Sequence, residues 1–175
     1  MDELKGKRIA ILVADGFEDL EFFYPLIRFT EAGADVVTAS PGGVSVTSKH
    51  GIPFSPAKAV RDISQEDFDC IIIPGGKAPE KLREDPDVLE LVRRHADTGA
   101  LVAAICHGPQ VLVSAGLTKG RTLTSYRAVR KEIEAAGGRF VDVQVQRDGN
   151  LITSRFPEDL PAFSKAIIAA LTEKR

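Results

Sequence analysis

Only two cysteines and three histidines occur among the 175 residues, and that scarcity narrows the chemistry at once. Cys70 and Cys106 each lie in or directly after an apolar run, so no disulfide is expected and both read as free thiols of a reducing, cytoplasmic setting. His50, His95 and His107 are scattered, without the paired spacing on one helix or turn that a local zinc motif needs. No metal and no cofactor is therefore expected. Charge of one sign is lacking too: 23 basic residues stand against 25 acidic ones, a formal net charge of −2. Such a balance leaves no basic field to hold nucleic acid or an anionic membrane surface. There is no long hydrophobic run either, since Ile9 to Ala14, behind the charged residues 1–8, is far too short for a membrane span or a signal core.

What is present is the size and pattern of one α/β domain over residues 1–175, large enough to bury a core without disulfide or metal. Arg8-Ile-Ala-Ile-Leu-Val13 is continuously apolar rather than alternating, as in a strand buried on both faces of a parallel sheet. Ala34 to Ala39, Asp69 to Pro74 and Leu101 to Ile105 repeat that pattern. Between them lie helical patterns closed by glycine: Asp19 to Ala32 before Gly33, Asp87 to Thr98 before Gly99, and His107 to Ala115 before Gly116. Turn residues predict a short two-stranded excursion at Val44–Val46 and Ile52–Phe54, decorating the sheet edge. A hairpin is predicted from Val141–Arg147 and Leu151–Thr153 around Asp148-Gly-Asn150, and Pro157 opens a last helix from Glu158 to about Leu171. The alternation predicts a doubly wound sandwich, a mostly parallel central sheet with helices on both faces, in which ligands bind beyond the carboxyl ends of the strands.

That rule selects three loops: Ala14-Asp-Gly-Phe-Glu18, Pro74-Gly-Gly-Lys77 and Ile105-Cys-His-Gly108. The third places Cys106 between a buried strand and a helix start, the elbow at which a nucleophile is exposed beside unpaired backbone N–H groups. The helix end is expected to draw the thiol pKa below its free value of about 8.5, and the N–H groups can hold an oxyanion. His107, a polar ring directly after a core strand, joins the candidate site, although capping the helix would also explain it. Cys70, inside Asp-Cys-Ile-Ile-Ile, reads as core. Parallel topology brings Glu18 to the same rim, but Asp15, Asp19 and Glu21 share the stretch and pattern alone does not single one out. The glycines Gly75 and Gly76 fit a second N–H donor equally as well as plain turn duty.

Taken together, Asp15-Gly-Phe-Glu-Asp19, Pro74-Gly-Gly-Lys-Ala-Pro-Glu80, Ala104-Ile-Cys-His-Gly-Pro-Gln110, Thr124-Ser-Tyr126 and Ser154-Arg-Phe-Pro157 resemble the PfpI family. These are intracellular cysteine proteases or amidases of the class I glutamine amidotransferase-like superfamily, which also holds protein deglycases. The resemblance spans nearly the whole chain. It implies a flavodoxin-like sandwich, Cys106 as nucleophile, Glu18 hydrogen-bonded to its sulfur, and oxyanion donors in the Gly76 and His107 backbone, with Gly75 and Tyr126 at the substrate. It also implies a homo-oligomer, a dimer or hexamer, in which Glu80 of a neighbouring subunit orients His107. Arg127-Ala128 stands where relatives often have Pro-Gly, so the wall at Tyr126 is expected to differ. The resemblance leaves the substrate open between a peptide and a small carbonyl: peptide hydrolysis, or glyoxalase and deglycase chemistry on methylglyoxal or glycated groups in stress protection. A redox-sensing or chaperone-like stress protein, with Cys106 oxidised to a sulfinate, is the competing class.

Overall fold

The computed structural model describes residues 2–173. Eleven strands are present among them: β1 (Arg8–Leu12), β2 (Asp35–Ser40), β3 (Val46–Thr47), β4 (Pro53–Phe54), β5 (Lys58–Ala59), β6 (Cys70–Ile73), β7 (Leu101–Ile105), β8 (Thr122–Leu123), β9 (Arg139–Phe140), β10 (Val145–Asp148) and β11 (Leu151–Ser154). Six α-helices accompany them: α1 (Asp19–Glu31), α2 (Ala78–Leu82), α3 (Pro86–Asp97), α4 (Pro109–Ser114), α5 (Arg130–Ala135) and α6 (Leu160–Thr172).

The continuous apolar runs become the sheet centre, because a strand covered on both faces has no polar side to show. The central sheet runs β10-β11-β7-β6-β1-β2-β5, parallel throughout except for the β10–β11 hairpin. In β1 and β2 the register pairs Ile9 with Val36 and Leu12 with Ala39, and on the other side Ile9 lies opposite Cys70. From β1 the chain moves one way to β2 and later the other way through β6 to β7. Right-handed crossovers in opposite directions put their helices on opposite faces. Accordingly α1 packs with α6, while α3 packs on β6 and β7 and meets α4. At this reversal the loops after β1 and β6 lie side by side, joined by the Phe17–Gly76 bridge and by Lys77 N–H donating to Gly16 O at 2.8 Å. Among the described residues no helix is long and apolar enough to cross a membrane.

Three local expectations shift. The β3–β4 ribbon is a sheet of its own rather than an edge of the main one. It folds over the loop after β1, with Gly16 N–H donating to Thr47 O at 2.8 Å and Lys49 N–H to Phe17 O at 2.8 Å. Strand β10 begins at Val145, not Val141, because the Val141 N–H donates to Leu123 O and extends the β8–β9 pairing. The last helix is preceded by a 3-10 turn at Pro157–Asp159, where buried Asp159 accepts the Arg155 N–H at 3.1 Å and its guanidinium at 2.9 Å.

Candidate active site

Cys106 directly follows strand β7, and its φ of 63° is the one positive value outside glycine among the described residues. Holding a residue with a Cβ there costs about 1–2 kcal/mol, and the surroundings enforce it. Cys106 N–H donates to Ser154 O at 3.1 Å, its carbonyl accepts Tyr126 N–H at 2.9 Å, and Gly108 N–H closes the bend onto Ile105 O at 2.8 Å. A Cβ at Gly108 would collide with the Ile73 carbonyl, so only glycine lets the chain turn so close to β6.

The bend also brings together two side chains that adjacency in a helix would separate. His107 Nδ1 lies 3.3 Å from Cys106 Sγ, and the imidazole lies over the Tyr126 ring, centroids 5.0 Å apart at 31°. Burial pushes the His107 pKa down, opposed by the charge of Glu80 and reinforced by that of Lys49. The imidazole is therefore neutral at physiological pH.

The carboxyl group at the sulfur is Glu21, which corrects the expectation for Glu18. Glu18 is the N-cap of α1, and its Oε2 accepts the Glu21 N–H at 2.8 Å. Capping spends that carboxylate on the helix start, as the macrodipole favours. Three residues on, Glu21 is fully buried and sits within hydrogen-bonding reach of Cys106. Its Oε2 accepts the Gly75 N–H at 2.7 Å, while Oε1 accepts no hydrogen bond within ordinary geometry. Burial first, then the charge of Glu18, push the Glu21 carboxyl up to about 8. It is therefore a neutral acid at pH 7, with Oε1 the oxygen free to carry the proton.

A second correction concerns the thiol itself. It is only 8% exposed, and burial pushes its pKa up rather than down, reinforced by the charge and hydrogen bonding of Glu21. The backbone N–H groups of Gly76 and His107 act the other way. Helix α4 has six residues, too few turns for a large macrodipole, so these two local donors replace the expected helix field. Cys106 and Glu21 thus form a coupled pair that holds one proton tightly and releases the other as a unit. Cys70 is buried in β6, with its pKa raised by burial.

Gly75 and Gly76 have separate duties. A Cβ on Gly75 would lie 2.5 Å from Glu21 Oε2 and 2.7 Å from Cys106 Cβ. Its N–H is committed to Glu21 at 2.7 Å, so Gly75 acts as a spacer behind the cavity lining rather than at the substrate. Gly76, at φ +75°, bridges to Phe17 and keeps its N–H at the sulfur. Around the thiol opens a cavity of about 430 Å³, lined by Glu18, Glu21, Lys49, Gly76, Lys77, Glu80, Cys106, His107, Tyr126, Phe156 and Pro157. Glu80, exposed on α2 of the same chain, stands at its rim.

Beside the cavity, Glu18, Asp19 and His50 each offer an atom with which a metal ion could be held, all within 4.8 Å of one another. Those atoms already serve one another and the backbone: Asp19 Oδ1 accepts Ser48 Oγ–H at 2.6 Å, Asp19 Oδ2 lies 2.8 Å from His50 Nδ1, and Glu18 caps α1. Sequence reasoning passed over Lys49 and assigned Glu21 no role. The spacing Glu18-Asp-Leu-Glu21 was the available signal for the latter, since a cap accepts the N–H three residues on. Lys49 gave none.

The sequence profile of the DJ-1/PfpI family matches residues 7–170. Deglycase TK1284 of Thermococcus kodakarensis is 40% identical over 164 residues, 94% of this chain and 99% of its own. A Bacillus subtilis protein named "Putative cysteine protease YraA" is 42% identical over 161 residues, 91% and 95% of the two chains. The crystal structure of Drosophila melanogaster DJ-1beta superposes with a TM-score of 0.90 at 31% identity, over 96% of this chain and 91% of that one. A buried cysteine on a strained bend, the reversed-order parallel sheet and these likenesses over nearly full length agree: the chain belongs to the DJ-1/PfpI family.

Proposed function

We propose that this protein is a cofactor-free thiol enzyme of the deglycase and glyoxalase type, acting through Cys106 on small 2-oxoaldehydes and their early adducts with amines. The observation that carries it is the neutral Glu21 carboxyl beside the sulfur. With an acid poised near neutrality, the pair can pass a proton in both directions during one turnover. As Cys106 attacks the aldehyde carbon of a 2-oxoaldehyde, its sulfur forms the C–S bond, the thiol proton passes to His107 Nδ1 at 3.3 Å and returns to the sulfur when the thioester is later cleaved, and the carbonyl oxygen takes a proton from Glu21. The resulting carboxylate removes the hydrogen from that carbon, and the proton returns to the neighbouring carbon through an enediol. This leaves a thioester of a 2-hydroxy acid, which water cleaves to the acid and the free thiol. The N–H groups of Gly76 and His107 support the oxyanion, and a cavity of about 430 Å³ suits a substrate of this size.

Peptide hydrolysis is a second reading, favoured by the 3.3 Å approach of His107 Nδ1 to the sulfur. It asks His107 to act as base and then acid. The resemblance would orient the ring with Glu80 of a neighbouring subunit in a homo-oligomer. Within one chain Glu80 already lines the cavity and favours the imidazolium electrostatically. The redox-sensor reading gains no support from the two curated relatives described above, both of which carry enzyme names. The test is to incubate the protein with methylglyoxal and, separately, with a fluorogenic peptide, beside Cys106→Ser and Glu21→Gln. Formation of lactate that both variants lose is expected. Peptide cleavage without lactate would replace the first reading by the second, and no turnover of either with oxygen gain on Cys106 would support a sensor.

A further inference from the structure

Lys49 lies in the turn between β3 and β4, outside the loops that supply the rest of the site, and the fold takes trouble to hold that turn. Asp19 receives the Ser48 hydroxyl at 2.6 Å and lies 2.8 Å from His50 Nδ1, so its carboxylate grips the residues on both sides of Lys49. The Ser48 hydroxyl oxygen in turn accepts the N–H of Ile52 at 2.9 Å, and the Lys49 N–H is tied to Phe17 O at 2.8 Å. A turn fixed at four points delivers one long cationic side chain to the lining of the Cys106 cavity. Lys81, by contrast, pairs with Asp15 at 3.3 Å, whereas Lys49 takes part in no ion pair among the described residues.

The charges facing this cation are few. Glu18 keeps its negative charge while its Oε2 caps α1, Glu80 stands on the exposed rim, and Lys77 adds a second cation to the lining, so two carboxylates face two ammonium groups. Glu21 is neutral at pH 7, and His107 is neutral as well. Beyond the reacting thiol, the cavity offers an ammonium group without a committed counter-ion.

We propose that Lys49 is a specificity-determining residue that pairs with a carboxylate on the substrate, so that the preferred carbonyl compounds are anionic 2-oxoaldehydes or adducts next to an acid group. This rests on the proposed thiol chemistry for its reacting centre, but its test separates the two. Iodoacetate and iodoacetamide alkylate the same sulfur and differ in one negative charge. Their rate ratio at Cys106 therefore cancels any change in the nucleophile itself. At pH 7 and low salt the iodoacetate-to-iodoacetamide ratio should fall about tenfold in Lys49→Gln, the size of one charge-assisted hydrogen bond. It should be largely restored in Lys49→Arg and reduced in the wild type by 0.5 M salt, a concentration chosen to cut the Debye length to roughly 4 Å. With 4-carboxyphenylglyoxal and phenylglyoxal as substrates, Lys49→Gln should raise KM for the first and leave it unchanged for the second. A ratio that does not move in Lys49→Gln overturns the role of Lys49 and leaves the thiol chemistry standing. A Cys106 that neither reagent alkylates overturns both.

Discussion

Replacing Glu21 with glutamine separates the electrostatics of the site from its packing, because the amide keeps the shape and can still accept the Gly75 N–H through its oxygen. In the folded protein the Glu21 carboxyl is pushed from 4.5 to about 8, a shift worth roughly 5 kcal/mol at 1.36 kcal/mol per unit. Because the folded state holds this proton more tightly than the unfolded chain, the stabilisation is fully present below about pH 4.5. It drains away as pH rises and is gone above about 8. Between pH 5 and pH 8 the wild type should therefore lose stability relative to Glu21→Gln, by up to about 4 kcal/mol. All other titrating groups are common to the two proteins and cancel. Urea unfolding of both at pH 5, 6, 7 and 8 measures the difference, which should grow steadily with pH. Parallel stability curves would show that Glu21 titrates like an exposed carboxylate, and the reasoning from burial would fail.

The division of labour between Glu18 and Glu21 gives a second test. Glu18→Ala should cost about 1 kcal/mol through loss of the helix cap and let Glu21 ionise at lower pH, whereas Glu21→Leu should speed alkylation of Cys106 at pH 7 by removing a group that holds the proton on the sulfur. Gly75→Ala should destabilise the protein by about 1–3 kcal/mol through overpacking and depress turnover, because the new methyl group meets both Glu21 Oε2 and Cys106 Cβ; wild-type activity and stability would contradict this. His95 is buried with Nε2 accepting the Phe68 N–H and Nδ1 facing Leu91 O, and burial pushes its pKa down. Its contribution is present above about pH 6.5 and is lost as pH falls below that, because the unfolded chain takes up the proton first. His95→Gln should accordingly lose less stability than the wild type between pH 7 and pH 5 in the same urea assay.

The sheet was legible because its strands are buried on both faces and so read as unbroken apolar runs, and the glycine-closed helices were legible for the reason that Gly33, Gly99 and Gly116 all adopt positive φ. Short pairings such as β8 with β9 were not legible, since two residues carry no periodicity and their partners come from distant segments. The same contrast holds within the site. Cys106 and His107 are fixed by an elbow whose residues are consecutive, whereas the choice between Glu18 and Glu21 depends on which face of α1 turns inward. The direction of the thiol pKa was misread because the short α4 and the depth of burial are properties of packing. Lys49 reaches the cavity only through a ribbon folded back across the loop after β1, a tertiary event without local signature.

The central claim is that burial keeps Glu21 a neutral acid at pH 7 and, together with Glu21, holds the proton on Cys106 above the ordinary thiol range. In a Cys70→Ser background the thiolate absorbance at 240 nm, titrated from pH 5 to 11, tests it directly. A thiolate that emerges above the ordinary thiol range, is absent in Cys106→Ser and emerges at lower pH in Glu21→Leu is the expected result, because burial and Glu21 both hold the proton on the sulfur. A thiolate that emerges at or below the ordinary value of about 8.5, or at the same pH with and without Glu21, would contradict the account.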